Sequence, residues 1–298
     1  IFGGKSGEHE ISLMSATSIL RAMDPDKYDT LLIGISKQGE WLLYDGPIDL
    51  IETGEWEKIA RERKKEDPDT YRFSVVGTSS SLKERVDVLF PVLHGPFGED
   101  GTIQGLFEMA DIPYVGAGVL ASSTGMDKVA AKKLFKQAGL PVSDFLMLLR
   151  KQIEENPADC MDQIEARLNY PVFVKPANLG SSVGITKARN RDQLLNALET
   201  AAKYDRKIIV EAFVNCREIE CAVLGNEEPE ASVVGEILPS NEFYDYQAKY
   251  LDDGKSKLCI PADIPEEKAE EIRRMAIEVY KAIDCAGLAR VDFFLEKE

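Results

Sequence analysis

The sequence predicts an α/β protein with more than one domain, and three observations carry that reading. Ile1-Phe2 runs into Gly3-Gly4-Lys5-Ser6-Gly7 and then a helical stretch, the strand, turn and helix that open a βα unit. The apolar run Val86 to Leu93 delivers His94-Gly95-Pro96-Phe97-Gly98-Glu99-Asp100-Gly101, a glycine-rich turn at a strand's carboxyl end, where open α/β sheets hold ligands. After residue 215 the pattern shifts from alternating helix and strand to consecutive strands, with one more helix only from Pro265. At 298 residues the chain is long enough for two or three compact units, and its 44% hydrophobic content is enough to fill their cores. The expected division is 1–96, 97–214 and 215–298.

Taken in order, Glu8 to Met23 forms a helix, with Ile11, Ser15, Ile19 and Ala22 at helical spacing, and Asp24-Pro25 ends it. Thr30 to Ser36 and Glu40 to Tyr44 are strands around Lys37-Gln38-Gly39. The charged stretch from Ile51 to Asp69 reads as a solvated helix or connection with no function of its own. Val86 to Leu93, continuous and β-branched, predicts a strand buried on both faces. Helices follow at Thr102 to Asp111 and Asp127 to Ala138, the second closed by Gly139.

Pro157 to Leu168 is helical, Val172 to Lys175 a strand, Ala177 to Gly184 a loop, and Asn190 with Gln193 a capping box opening the next helix. Lys207 to Phe213, Glu218 to Leu224 and Ala231 to Leu238 are strands. Residues 239 to 256 are polar and aromatic without a period, a loop long enough to serve a function. Pro265 starts the last helix, with Ile272, Met275, Ala276, Val279 and Ile283 on its apolar face. Gly287 to Leu295 is the last strand.

Composition narrows the function. Lys and Arg total 36 against 52 Asp and Glu, a net charge of −16, so nucleic acid and anionic membranes are poor partners. A small anion can still bind wherever a few lysines gather. Five cysteines without a CxxC pair argue against a disulfide framework or a zinc site and fit a reducing cytoplasm. No apolar stretch approaches the ~18 residues of a membrane helix, and no signal peptide is visible, although the sequence opens at Ile1 rather than at a methionine.

Several residues can carry chemistry. Arg290 and Asp292, two apart on a strand, share a face; they form either an ion pair or a cation site beside an arginine suited to phosphoryl chemistry. The loop Ala177 to Gly184, after Lys175, is either a turn or a cradle of backbone N–H groups for phosphate. Gly4-Lys5-Ser6 matches the end of a phosphate-binding loop, but Glu8 and Glu10 in the first helical turn would repel a triphosphate and suit an ammonium. His9 is expected to face solvent. His94 is expected either to contact a ligand or to be a hydrogen-bonded histidine.

Four segments together resemble the D-alanine–D-alanine ligases, of the three-domain ATP-grasp fold: Gly3 to Ser12, His94 to Gly101, Lys175 to Gly184 and Phe243 to Tyr250. They occur in the family's order across the whole chain. The resemblance implies two ATP-grasp lobes clasping ATP, at 97–214 and 215–298, and an N-terminal α/β substrate domain. It implies ATP contacts at Lys128, Lys175, Ser182, the stretch Glu211, Ala212, Phe213 and Val214, Glu218, and Lys249 on a mobile loop. Glu8 would hold the first D-alanine and join Ser181 and Tyr250 in ordering the site, with His94 near the second substrate. Arg290 would stabilise the tetrahedral intermediate and Asp292 would hold Mg2+, or Mn2+ in its place.

The implied product is D-alanyl-D-alanine for peptidoglycan precursors, made through an acyl phosphate in the cytoplasm by a homodimer. Tyr250 favours an amine as second nucleophile. D-serine, or another carboxylate–amine pair, is the alternative. The family's remaining metal ligands lie in a Glu-x-Asn segment after the last strand, so such a segment is expected beyond Glu298.

Overall fold

A computed structural model describes residues 1–76, 81–180, 183–238 and 257–297. They fall into two compact units, Ile1–Ser123 and Thr124–Glu298. In the first unit β1 (Phe2–Gly3) pairs parallel with β2 (Leu32–Ile35), and β2 pairs antiparallel with β3 (Trp41–Tyr44). Single parallel bridges, Phe2 to Val92 and Leu89 to Tyr114, extend the same layer.

The run from Val86 to Leu93 is therefore extended but not the doubly buried strand expected of it. Leu89 and Leu93 turn inward while Val88 and Phe90 are exposed. Pro91 has no N–H to give a ladder, and the N–H groups on either side, Leu89 and Val92, reach different neighbours, Pro113 and Ile1.

Helix α1 (His9–Ala22) is also turned from its expected face. Ser12, Leu13, Ala16 and Thr17 are buried in place of Ile11, Ser15, Ile19 and Ala22. The cause is polar: the Ser12 hydroxyl accepts from the Gly3 N–H at 2.7 Å and donates to the Val92 carbonyl, which draws that side of the helix inward. Two short helices follow, α2 (Asp49–Glu52) and α3 (Trp56–Glu66). The second keeps its charged face in water as expected, yet buries Trp56, which packs edge-on against Phe2 at 4.9 Å. Gly34 makes room for it, since a Cβ there would lie 2.1 Å from the indole. Helix α4 (Thr102–Ala110) closes a second cluster around Ile33, Leu89 and Phe107, and α5 (Val119–Met126) spans the division between the units.

The second unit holds two four-stranded antiparallel sheets. One has the order β4-β7-β5-β6, from β4 (Phe145–Leu149), β5 (Val172–Pro176), β6 (Thr186–Ala188) and β7 (Lys207–Ala212). Val172, Val174, Ile208 and Val210 point to one side, where α7 (Arg150–Glu155), α8 (Pro157–Glu165) and α9 (Arg191–Tyr204) bury them. Asn190 caps α9 by accepting from the Gln193 N–H at 3.0 Å, but Gln193 reaches back to Arg189 rather than to Asn190, so the expected box is offset by one residue. Helix α6 (Lys128–Gln137) covers the opposite face through Val129, which packs with Ala177, Ile209 and Phe145.

The other sheet runs β10-β9-β8-β11, from β8 (Cys216–Gly225), β9 (Glu230–Leu238), β10 (Lys257–Cys259) and β11 (Gly287–Glu296). Helix α10 (Glu266–Ala282) packs on one face of it with Ile272, Ala276 and Val279, as expected, and with Tyr280. The Tyr280 hydroxyl donates to the Gly225 carbonyl at 2.7 Å.

Candidate functional site

Strand alternation creates the first half of the site. In β5 the side chains of Val172, Val174 and Pro176 go to the core, so Phe173 and Lys175 must take the other face. The antiparallel register sets Phe173 opposite Glu211, and Lys175 opposite Ile209. Glu211 thus shares a face with Lys175 on the next strand. Asp127 caps α6 by accepting from the N–H groups of Val129 and Ala130, at 3.1 and 3.0 Å. With the helix started there, Lys128 and Lys132 fall four apart on one side.

Lys132 Nζ reaches one oxygen of Glu211 at 2.6 Å and Lys175 Nζ the other at 2.5 Å. Lys132 also donates to the Ser143 hydroxyl at 2.7 Å. Glu211 is 3% exposed. Burial would raise its pKa, but the ammonium groups of Lys175 and Lys132 outweigh burial and hold the carboxyl at about 2.

Further lysines line the same face. Lys128 Nζ donates to the Leu179 carbonyl at 2.6 Å, and its N–H to the Ala177 carbonyl at 2.9 Å, which ties the start of α6 to the loop after β5. Lys187 lies 4.1 Å from the ring centre of Phe213 and 5.8 Å from that of Phe173. Lys207 pairs with Asp127. A chain of net charge −16 therefore gathers five lysines, 128, 132, 175, 187 and 207, around one sheet face. Gly184 ends the adjoining loop at φ +73°, with a Cβ position 2.7 Å from Tyr204, so glycine is required there.

Ala212, Phe213 and Val214 lead from β7 toward β8. The Ala212 N–H is already given to the Asp144 carbonyl at 2.9 Å, and that of Phe213 to Pro171 at 3.3 Å. Ser181, Ser182, Lys249 and Tyr250 lie outside the described residues.

The second half lies on the sheet of β8 and β11. Asp292 stands opposite Glu220 and Phe294 opposite Glu218, so these side chains share a face. Arg290 holds Asp292 with two bonds, Nε to Oδ1 at 2.8 Å and Nη2 to Oδ2 at 3.0 Å, and its Nη2 lies 3.3 Å from Glu220. The expectation of one shared face is met, but these charges are not buried: Arg290 is 58% and Asp292 59% exposed. No group of three or more metal-type side chains occurs among the described residues. Asp292 beside Glu220 is nevertheless a hard oxygen set, of the kind that holds magnesium with one or two carboxylates when the remaining ligands come from a bound phosphate and water.

In the first unit Gly3 and Gly4 turn with φ of +89° and +104°, and a Cβ on Gly3 would strike the Ile35 carbonyl at 2.2 Å. The Ser6 hydroxyl donates to the His94 carbonyl at 2.6 Å, and Lys5 lies over the Phe97 ring at 5.3 Å. These uses replace the phosphate-loop reading of Gly4-Lys5-Ser6. Glu8 is buried, and its carboxylate lies so close to Gly95 that an added Cβ would come within 2.2 Å of it. His94 Nε2 meets the Ser15 hydroxyl at 3.0 Å. Glu8, Ser6, Gly95 and His94 thus converge. His9, expected in solvent, is 5% exposed because its Nδ1 bonds to the Gly4 carbonyl at 2.8 Å and anchors the turn.

Sequence reasoning missed Lys132, Lys187 and Ser15. Lys132 had a signal, its place one helical turn after Lys128. Lys187 and Ser15 had none, because only strand pairing brings Lys187 to Phe213, and only the bridge at Val92 brings Ser15 to His94.

A family model described as D-ala D-ala ligase N-terminus matches residues 1–117, and one described as D-ala D-ala ligase C-terminus matches residues 134–298. A D-alanine–D-alanine ligase of Acetivibrio thermocellus is 54% identical, aligned to all of this chain and 83% of its own length. One from a Thermoanaerobacter species is 57% identical, over 100% and 82%. Among solved structures, the VanG D-Ala:D-Ser ligase of Enterococcus faecalis superposes with a TM-score of 0.82 at 38% identity, covering 98% of this chain and 84% of that one. The D-alanine–D-alanine ligase of Coxiella burnetii gives 0.80 at 32%, over 98% and 78%.

Proposed function

The chain belongs to the D-alanine–D-alanine ligase family, and from that premise we propose how its residues divide the work. It has the ATP-grasp fold and joins two D-alanine molecules with ATP. The observation that best supports a nucleotide site here is the lysine cluster, a local reversal of sign in an acidic protein.

In the first step one D-alanine carboxylate oxygen attacks the γ-phosphorus, the β,γ-bridge bond breaks, and an acyl phosphate and ADP form. Lys128 and Lys175 bind the phosphates, the N–H groups of the loop after β5 cradle them, and Ser182 contributes there. The stretch Glu211, Ala212, Phe213 and Val214 carries the adenine edge, and Glu218 takes the ribose hydroxyls. Glu8, an acid held in a tight turn, receives the ammonium of the first D-alanine. Asp292, with Glu220 beside it, is where magnesium (or manganese) would be held, and such a cation supplies neutralisation of the triphosphate's charge.

In the second step the free amine of the second D-alanine attacks the acyl carbon, the intermediate expels phosphate, and the amine nitrogen loses a proton. Arg290 faces the negative oxygen that forms on that carbon. For this role the guanidinium must exchange its Asp292 partner, which an exposed pair does at little cost. Ser181 and Tyr250, with Glu8, order the second substrate, His94 lies near it, and Lys249 closes over the nucleotide. The division into 1–96, 97–214 and 215–298, a homodimeric state, a cytoplasmic location and a role in peptidoglycan precursor synthesis belong to the same proposal.

The test is ADP and phosphate release by the full-length protein with D-alanine as sole amino acid. Equal amounts of ADP and D-alanyl-D-alanine are expected, with L-alanine inactive. Release of ADP with L-alanine at the same rate, or no release with D-alanine, overturns the reading. Adding D-serine in competition decides the second substrate, and a product dominated by D-alanyl-D-serine would replace D-alanine in that role.

A further inference from the structure

The inference rests on the nucleotide reading of the lysine cluster and concerns a residue that this reading leaves unused. Lys132 and Lys175 divide the two oxygens of Glu211 between them, at 2.6 and 2.5 Å, yet their surroundings differ. Lys132 comes from α6, gives a second hydrogen bond to Ser143 at 2.7 Å, and has its ammonium 5.7 Å from the Phe145 ring centre. Besides Glu211, its partners Ser143 and Phe145 lie just before and at the start of β4, away from the loop after β5. Lys175 comes from the end of β5, just before the glycine-rich loop, and stands 5.6 Å from the Phe173 ring centre.

The other charges nearby are engaged elsewhere: Lys207 with Asp127, Lys128 with the Leu179 carbonyl, and Lys187 over Phe213. One cation is enough to keep a buried carboxylate from standing alone, so the second is available for other work.

We propose that Lys132 is a positioning residue for the ligase reaction: it stays on Glu211 and keeps that carboxylate compensated, so that the Lys175 ammonium can pass to the nucleotide phosphates. Without Lys132, Lys175 is the remaining counter-ion. Binding ATP then either strips Glu211 of its partner or draws a proton from solvent onto it.

The experiment is calorimetric ATP binding to the full-length protein in two buffers of different ionisation enthalpy, which reads affinity and proton uptake together. Lys132→Met is expected to weaken ATP binding about tenfold or more and to add proton uptake that the unsubstituted protein lacks, with KM for D-alanine unchanged. Lys132→Arg restores the affinity. Glu211→Gln removes the anion, and because Glu211 lies in the proposed adenine stretch its own ATP affinity is the reference: adding Lys132→Met to it should change nothing further. That comparison carries the test even if the single Lys132→Met variant fails to fold.

Unchanged ATP affinity in Lys132→Met overturns the proposal. So does a loss that persists in the Glu211→Gln background, or one accompanied by a lower melting temperature without proton uptake; either marks a merely structural lysine. If the unsubstituted protein does not bind ATP, the nucleotide reading itself fails. If it does, and only the variants disagree, this inference fails alone.

Discussion

Two sheet faces in the second unit carry charges by the same period-two alternation, and they treat them in opposite ways. On β5 and β7, α6 packs over the strands and seals Glu211 between two ammonium groups. On β8 and β11, Arg290 and Asp292 hold one another while more than half exposed. Coulomb attraction grows as water is removed, and so does the penalty for a charge left without a partner. On the sealed face, deleting one member outright is costly, because the charge left behind is kept from water. The open face is an exposed pair, and in the proposed mechanism its partner changes when substrate arrives.

The sharpest way to break this contrast is at Glu211. Glu211→Ala leaves two lysines without their anion and should destabilise the fold by about 3–5 kcal/mol, read from denaturant unfolding. Asp292→Ala should cost less than about 1 kcal/mol by the same measurement, and equal costs would dissolve the distinction. The pH dependence follows from the same cause. Because the folded pKa of Glu211, about 2, lies below its ordinary value of 4.5, its contribution to stability is complete above 4.5 and is lost as pH falls from there toward 2. Unfolding at pH 3 and pH 6 should show this loss in the unsubstituted protein and a smaller one in Glu211→Gln.

Arg290 tests the open face. Arg290→Met should lower kcat about 10²–10³-fold, as expected for one lost oxyanion donor, with stability nearly unchanged. A fall in stability comparable to the fall in rate would make the pair structural. The smallest effect belongs to the first unit, where Ser15→Ala removes the hydroxyl from His94. About 0.5–1.5 kcal/mol should appear in kcat/KM for D-alanine, and no change would remove Ser15 from the orientation of that histidine.

Much of the second unit was legible residue by residue. Val172 to Lys175 read as a strand, Asn190 as the cap of its helix, and Arg290 and Asp292 as sharing one face, and all three hold. Short elements escaped: β4, β6, β10 and α7 are too brief for a period to show. The spacing of α1 gives its helix but not its buried face, which hydrogen bonds from Ser12 to partners remote in sequence set. The same kind of remote partner buried His9.

What the sequence by itself determined is the local part: which residues alternate, where helices begin, where glycine alone can turn, and the ordered motifs that mark the ligase family. Each depends on neighbours a few residues away. The tertiary structure alone decided which charges meet and how much water they keep. Lys132, Lys175 and Glu211 come from separate segments, and nothing in any one of them says that the carboxylate is sealed; strand register and the helix packed over it do. Burial is a property of the assembled layers, and burial sets the strength of a charge pair.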